Sequence, residues 1–392
     1  MTTALPARVA LVAGLHPEAR TRAVDRLLLA DPGAIAVHHD LSRITEGRVE
    51  RVVRDRWGEV DRVPVDLVHA CASCTLREDL LPLLCRLAET GGYGLHIVES
   101  WDGVEPRLIA EALTRTVVDG RPVTHWLRLA AVITAVAADR LVADLSSTDD
   151  MAGRGLAIAT ADDRTVAEVL AQQIEYPTAL ALYGAARDAA VGAQCAAVLA
   201  QLNPAAAVVS VERAPLIDLT GGRFDTDAAA ARMDPATAQP PDHCEMGDVR
   251  TVTWRRSRPM HPARLHAALD DVVGASLRSR GRFWLASHPD TLLVWDAAGT
   301  SLAVQPAGPW LASLPDAAWD LVSDQRRAAA SLDWSDGCGD RCQCISFTGV
   351  GLDTDRLVGL LDSCLLTEEE IAAGAAADRA DDPFADVLGP AA

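Results

Sequence analysis

Short apolar runs recur through the first half of the chain, at residues 9–13, 34–37, 67–69, 95–98, 130–134, 179–182 and 207–209. Between most of them lie longer stretches whose apolar residues fall three and four apart. Unbroken apolar runs suit strands buried on both faces, and their alternation with helical stretches implies a parallel sheet with helices packed on it. The expected fold class is therefore α/β, a doubly wound sheet over residues 1–212. Residues 75–87 read as an amphipathic helix, with Thr75 and Glu78 spaced as a capping box and leucines on one face. Residues 189–202 read as a crossover helix. From 213 to 247 the pattern breaks into Gly, Asp, Ala and Pro clusters, which places a linker there. Residues 248–370 form a second domain, and the Ala- and Asp-rich stretch 371–392 is expected to be a disordered acidic tail.

Composition adds limits rather than detail. The 392 residues, 49% hydrophobic, exceed a usual single domain and can bury a sizeable core. A net charge of -19 disfavours direct binding to nucleic acid, so any partner is expected to be a protein. No apolar stretch approaches the ~18 residues that cross a bilayer, and residues 9–14 read as a first buried strand rather than a removable signal. Nine cysteines, an odd number, point to reduced thiols and a cytoplasmic address. All 36 basic residues are arginine, which limits the kinds of enzyme this chain can be.

Two stretches carry candidate chemistry. Cys71-Ala-Ser-Cys74 has the spacing with which two thiolates hold one zinc ion, and the following helix start would lower the thiol pKa of Cys74. A redox pair or two inert buried thiols fit the same spacing. Further on, Cys338, Cys342 and Cys344 lie within seven residues, with His243 and Cys244 in the linker. Three thiolates and a distant histidine could close a tetrahedral zinc site, and unreactive reduced thiols are the alternative.

Cys71, Cys74, Thr75, Arg77, Glu78, Asp79 and Leu80 resemble the signature of the CobW family of P-loop GTPase-like metallochaperones, with Ser73 where that family has a third cysteine. Gln173-Ile-Glu175, Leu202-Asn-Pro204, His261-Pro-Ala-Arg-Leu, the stretches 280–286 and 306–310, and residues 339–353 extend the resemblance over roughly residues 8–370. It implies a P-loop NTPase-like sheet followed by a smaller α+β CobW C-terminal domain. It also implies zinc at Cys71 and Cys74, and GTP with magnesium at Gly14, Arg20, Thr21 and Glu99. His69, two residues upstream of Cys71, could stand in for the missing thiolate; an exposed or packed histidine at a strand end is the alternative. An actinobacterial branch of the family shares the Cys-x-Ser-Cys-Thr form. That branch is associated with zinc starvation and with bringing a ribosome hibernation factor to ribosomes.

Against this pattern the phosphate loop, Gly14-Leu-His-Pro-Glu-Ala-Arg-Thr21, has lost two glycines to Pro17 and Ala19, and Arg20 stands where a lysine belongs. Glu18 brings negative charge to a triphosphate site. Tyr183-Gly-Ala-Ala-Arg-Asp188 lacks the asparagine and lysine that read guanine, and Trp101 and Asp102 replace small residues beside Glu99. These departures predict weak or lost GTP turnover, no catalytic residue, and action through a protein partner, either the hibernation factor or a zinc-dependent client. The alternative is an active GTP-dependent zinc metallochaperone.

Overall fold

The computed structural model describes residues 5–69, 71–159, 161–241, 243–373 and 382–388. The chain divides into two compact units, Met1–Ala230 and Ala231–Ala392. The strands of the first are β1 (Ala7–Ala13), β2 (Ala34–Asp40), β3 (Val49–Asp55), β4 (Gly58–Val65), β5 (Leu95–Glu99), a two-residue hairpin of β6 (Val117–Val118) and β7 (Arg121–Pro122), β8 (Leu127–Ala137), β9 (Ala179–Tyr183) and β10 (Ala207–Ser210). Eight of them form one sheet in the order β10-β9-β8-β1-β5-β2-β3-β4. The six from β10 to β2 run parallel, and β3 and β4 extend the edge antiparallel.

The parallel strands are the continuous apolar runs, because helices cover both of their faces. On one face Ala10, Val12, Leu95 and Ile97 pack against Ala19, Ala23, Val24 and Leu27 of α1 (Pro17–Ala30). The run at 67–69 is not a strand; the chain there is irregular. Its place in the sheet is taken by the hairpin of β3 and β4, whose charged residues conceal it because both faces of β4 are largely exposed. Register brings the carboxyl ends of β1, β5 and β8 together, with Val12 opposite Glu99 and Ala13 opposite Thr134. Ligands of open α/β sheets bind at that end.

The second unit holds an antiparallel sheet of β11 (Cys244–Met246), β12 (Val249–Arg256), β13 (Arg278–Phe283), β14 (Thr291–Ala298), β15 (Ser301–Pro309) and β16 (Gln343–Val350), in the order β11-β12-β16-β13-β14-β15. Trp254, Phe283, Trp295 and Phe347 form its core with Leu265 and Val272 of helix Pro262–Gly274 and Leu357 and Leu361 of helix Thr354–Cys364. This is the α+β architecture expected after the first domain. Residues 213–247 carry a 3-10 turn (Leu216–Gly221), helix Thr226–Met233 and β11, and the division between the units falls inside this stretch. Of the expected tail, 374–381 and 389–392 lie outside the described residues. Within 382–388, however, Phe384 is buried in the core of the second unit, because one aromatic side chain suffices to anchor a polar segment. Among the described residues no helix is long and apolar enough to cross a membrane.

Candidate functional site

A cavity of about 460 Å³ opens at the carboxyl end of the first sheet, lined among others by Arg20, Thr21, His38, Arg54, Trp101 and Asp102. Gly14 ends β1 at a φ of +142°, and a Cβ there would lie 2.2 Å from the carbonyl oxygen of Ala135. Only glycine lets the loop pass this close to β8. His16 then fixes the loop from inside. Its Nδ1 accepts the Ala137 N–H at 3.1 Å, so Nε2–H donates to Asp144 Oδ2 at 2.8 Å. Burial pushes the Asp144 carboxyl up, but His16, Arg140 and Arg154 together hold it below the usual range. Pro17 takes the first turn of α1, where its missing N–H costs nothing.

Gly14, Arg20, Thr21 and Glu99 are brought together, and they bond to one another. Arg20, 3% exposed, donates from Nη1 to the Gly14 carbonyl at 2.6 Å and from Nη2 to Asp102, and its Nε lies 3.6 Å from Glu99. Thr21 donates its hydroxyl proton to Glu99 Oε1 at 3.0 Å. Arg54 donates to Glu99 Oε2 at 2.7 Å and to Asp25 at 2.6 Å. Burial opposes the charge on Glu99, yet His38, Arg20 and Arg54 keep its carboxyl low; burial and Arg20 also lower His38, whose Nδ1–H donates to the Glu99 carbonyl at 3.1 Å. A triphosphate entering here would have to displace Asp102 from Arg20 and would bring its own charge beside Glu99 and Asp102. Both Arg20 Nη groups and the Thr21 hydroxyl already donate to acceptors of this chain, and Arg20 Nε faces Glu99 at 3.6 Å.

The segment after β9 is similarly occupied. Arg187 stacks over the Tyr183 ring at 5.2 Å and donates to its hydroxyl at 3.1 Å. Asp188 caps helix Ala189–Leu202 by accepting the N–H groups of Ala190 and Val191.

In the cysteine segment the helix begins earlier than the sequence suggests. Cys71 is the N-cap, its Sγ accepting the Cys74 N–H at 3.4 Å, and the chain continues through turns at Ala72–Cys74 and Thr75–Leu80 into helix Leu81–Thr90. Thr75 is not a cap; it is buried, and its hydroxyl donates back to the Cys71 carbonyl at 3.1 Å. Glu78 accepts the Val68 N–H instead of closing a capping box. The Cys74 thiol is raised rather than lowered, through its hydrogen bond with Cys71, burial and the nearby Glu78 charge, which outweigh a short helix start. His69 is exposed, and among the described residues no group of three His, Cys, Asp or Glu side chains converges as a metal site.

Asp79, four residues beyond Thr75, joins this segment to the cavity. It accepts from His39 Nε2 at 2.7 Å and from Arg51 Nη1 at 2.6 Å, and the His39 ring meets Trp101 edge-on at 5.9 Å. Sequence reasoning placed Asp102 here but missed His39 and Arg54. The pair His38-His39 at a strand end was the available signal.

In the second unit the cluster of thiols is built around an ion pair. Arg282 and Asp333, both buried, pair directly, and burial pushes the thiols of Cys342 and Cys344 up beside them. A guanidinium stands where a zinc ion would need to approach, which favours unreactive thiols over the metal reading.

Residues 249–365 match the cobalamin synthesis protein cobW C-terminal domain. A zinc chaperone of Mycobacterium tuberculosis is 32% identical over 96% of this chain and 92% of its own length. The zinc-regulated GTPase metalloprotein activator 1 of Dictyostelium discoideum is 26% identical over 85% of this chain and 70% of its own. The Zn(II)-bound YjiA GTPase from E. coli aligns with 92% of this chain and 99% of that one at 14% identity, with a TM-score of 0.36 that adds nothing to the sequence match. With a relative of that identity along nearly its whole length and a cobW C-terminal domain, this chain belongs to the CobW-like GTPase family.

Proposed function

We propose that this protein is a CobW-family accessory protein of zinc-limited cells, acting in the cytoplasm through protein contacts, with GTP turnover weak or lost. The observation that supports the reading is the closed network in which Arg20 serves Gly14, Asp102 and Glu99 and Thr21 serves Glu99. Hydrolysis of a nucleoside triphosphate needs preorganised positive charge around the transferred group, and here that charge is already neutralised. The partner implied by the resemblance is a ribosome hibernation factor; Cys71 and Cys74 would serve as the zinc-responsive pair, with His69 a candidate third ligand once the segment moves.

Equilibrium binding of GTP and ATP to the full chain, with magnesium and with or without zinc, tests the first part. The expected result is no saturable binding at near-millimolar nucleotide. Affinity purification from zinc-starved cells tests the second, with ribosomes or a hibernation factor expected in the eluate and the recovery of neither counting against it. A second reading, compatible with relatives named a zinc chaperone and a zinc-regulated GTPase metalloprotein activator, is an active GTP-dependent metallochaperone serving a zinc-dependent client. That reading requires GTP-selective binding that is lost in Thr21→Ala.

A further inference from the structure

The second unit carries an exposed apolar surface that the nucleotide cavity and the cysteine segment do not use. Trp319 and Trp334 pack ring against ring at 5.4 Å, and Trp319 is anchored by its Nε1–H donating to the Leu311 carbonyl at 3.2 Å. Leu321, at the end of the 3-10 turn Asp316–Leu321, is 89% exposed; Leu332, in the last turn of helix Asp324–Asp333, is 69% exposed, and Trp334 just beyond it 48%. Asp333, between Leu332 and Trp334, turns inward to Arg282 and Arg255. Large exposed apolar side chains on one turn and the helix that follows it, with the Trp319–Trp334 pair joining the two, mark a contact surface.

Charge indicates what covers it. Residues 315–340 contain six aspartates and two arginines. Asp333 and Asp340 are consumed by the ion pairs with Arg282 and Arg326. Asp316, Asp320, Asp324 and Asp336 remain exposed, and among the described residues Arg327 alone answers them, shared between Asp320 and Asp324. An acidic rim repels RNA and anionic membranes, and a second copy would set aspartate against aspartate. We propose that this surface docks a basic amphipathic helix of a partner protein. Its apolar side chains pack on Leu321, Leu332 and the two tryptophans, and its arginines or lysines meet the four exposed aspartates. The assignment rests on the reading that the chain acts through protein contacts, and it is independent of whether nucleotide binds.

The test uses the full chain and a synthetic helical peptide carrying arginines on one face and leucines on the other, followed by isothermal titration. A scrambled peptide of the same composition and an oligouridine serve as comparisons. The expected result is saturable binding of the amphipathic peptide alone, weakened about tenfold in Leu321→Ser/Leu332→Ser and reduced by salt and by Asp320→Asn/Asp324→Asn. Both variants alter only exposed side chains, so each should keep the wild-type melting temperature. Equal affinity for the scrambled peptide, unchanged affinity in both variants, tighter binding of oligouridine, or a dimer that the leucine substitutions dissociate would each overturn it. Saturable GTP binding by the same preparation would sink the nucleotide reading and leave this one standing.

Discussion

Arg20 keeps its charge in the interior because three oxygen-bearing groups share it. Removing it leaves Glu99 and Asp102 facing each other beside a bare Gly14 carbonyl, the situation in which breaking a buried ion pair costs about 3–5 kcal/mol. Arg20→Ala should lower the urea midpoint accordingly; a loss under about 1 kcal/mol would mean that the network is looser than drawn. The resemblance groups Gly14, Arg20, Thr21 and Glu99 at one site with Asp102 nearby, but not the bonds among them, since Asp102 lies 82 residues from Arg20 and Glu99 lies 78 from Thr21. The sequence marks the missing lysine; only the fold shows what the arginine does instead. Among the described residues no side chain bonds the ring nitrogens of buried His96, and burial, opposed by the Arg8 backbone, pulls its pKa down to about 4. A histidine lowered from 6.5 is held neutral by the fold, so its contribution is present above pH 6.5 and lost as pH falls toward 4. The loss between pH 7 and pH 5 should be about 2 kcal/mol. Chemical denaturation of His96→Leu should show a shallower slope over that interval, with the remainder from His38, which is shifted in the same direction.

The cysteine segment is best judged as an element. Cys71 both caps a helix and offers a thiol, and two substitutions separate those roles. Cys71→Ser should replace the capping sulfur with an oxygen and keep the melting temperature, while Cys71→Ala should cost about 1 kcal/mol. If zinc binds through the pair, both variants should weaken it equally in a zinc titration; zinc affinity unchanged in both would remove the thiols from the metal reading. The raised Cys74 thiol adds a further expectation: at neutral pH its alkylation by iodoacetamide should be slower than that of free cysteine, since the thiolate is the reactive form. Faster alkylation would restore the helix-dipole argument made from sequence. Elements were legible where packing decides them. The parallel strands appear as apolar runs because helices cover both faces. The hairpin of β3 and β4 escaped because Arg51, Arg54, Glu59 and Arg62 sit among its valines, and a strand exposed on both faces leaves no hydrophobic alternation to read.

Across the chain, length and the change of pattern after residue 212 led to an expected division into domains, whereas the two compact units meet at residues 230 and 231, and composition misled at residues 382–388. Phe384 joins the core of Trp254, Phe283, Trp295 and Phe347, meets the His266 ring edge-on at 5.9 Å, and has beside it Asp382, 3.3 Å from the ring of His288. Mean composition cannot reveal one aromatic anchor in an Ala- and Asp-rich stretch, because disorder is inferred from averages and docking depends on single side chains. The anchor has a measurable consequence. Truncating a buried phenylalanine to alanine costs about 3–5 kcal/mol, and that loss should fall on the second unit alone. Tryptophan fluorescence is weighted toward the second unit, since Trp254, Trp284, Trp295, Trp310, Trp319 and Trp334 lie there and Trp57, Trp101 and Trp126 in the first. Phe384→Ala should therefore lower the denaturant midpoint of the transition seen by tryptophan fluorescence, while loss of nucleotide-cavity structure, followed by a probe in the first unit, keeps its wild-type midpoint. A fluorescence transition that does not move would show that Phe384 contributes nothing to the core and that the acidic stretch behaves as its composition suggests.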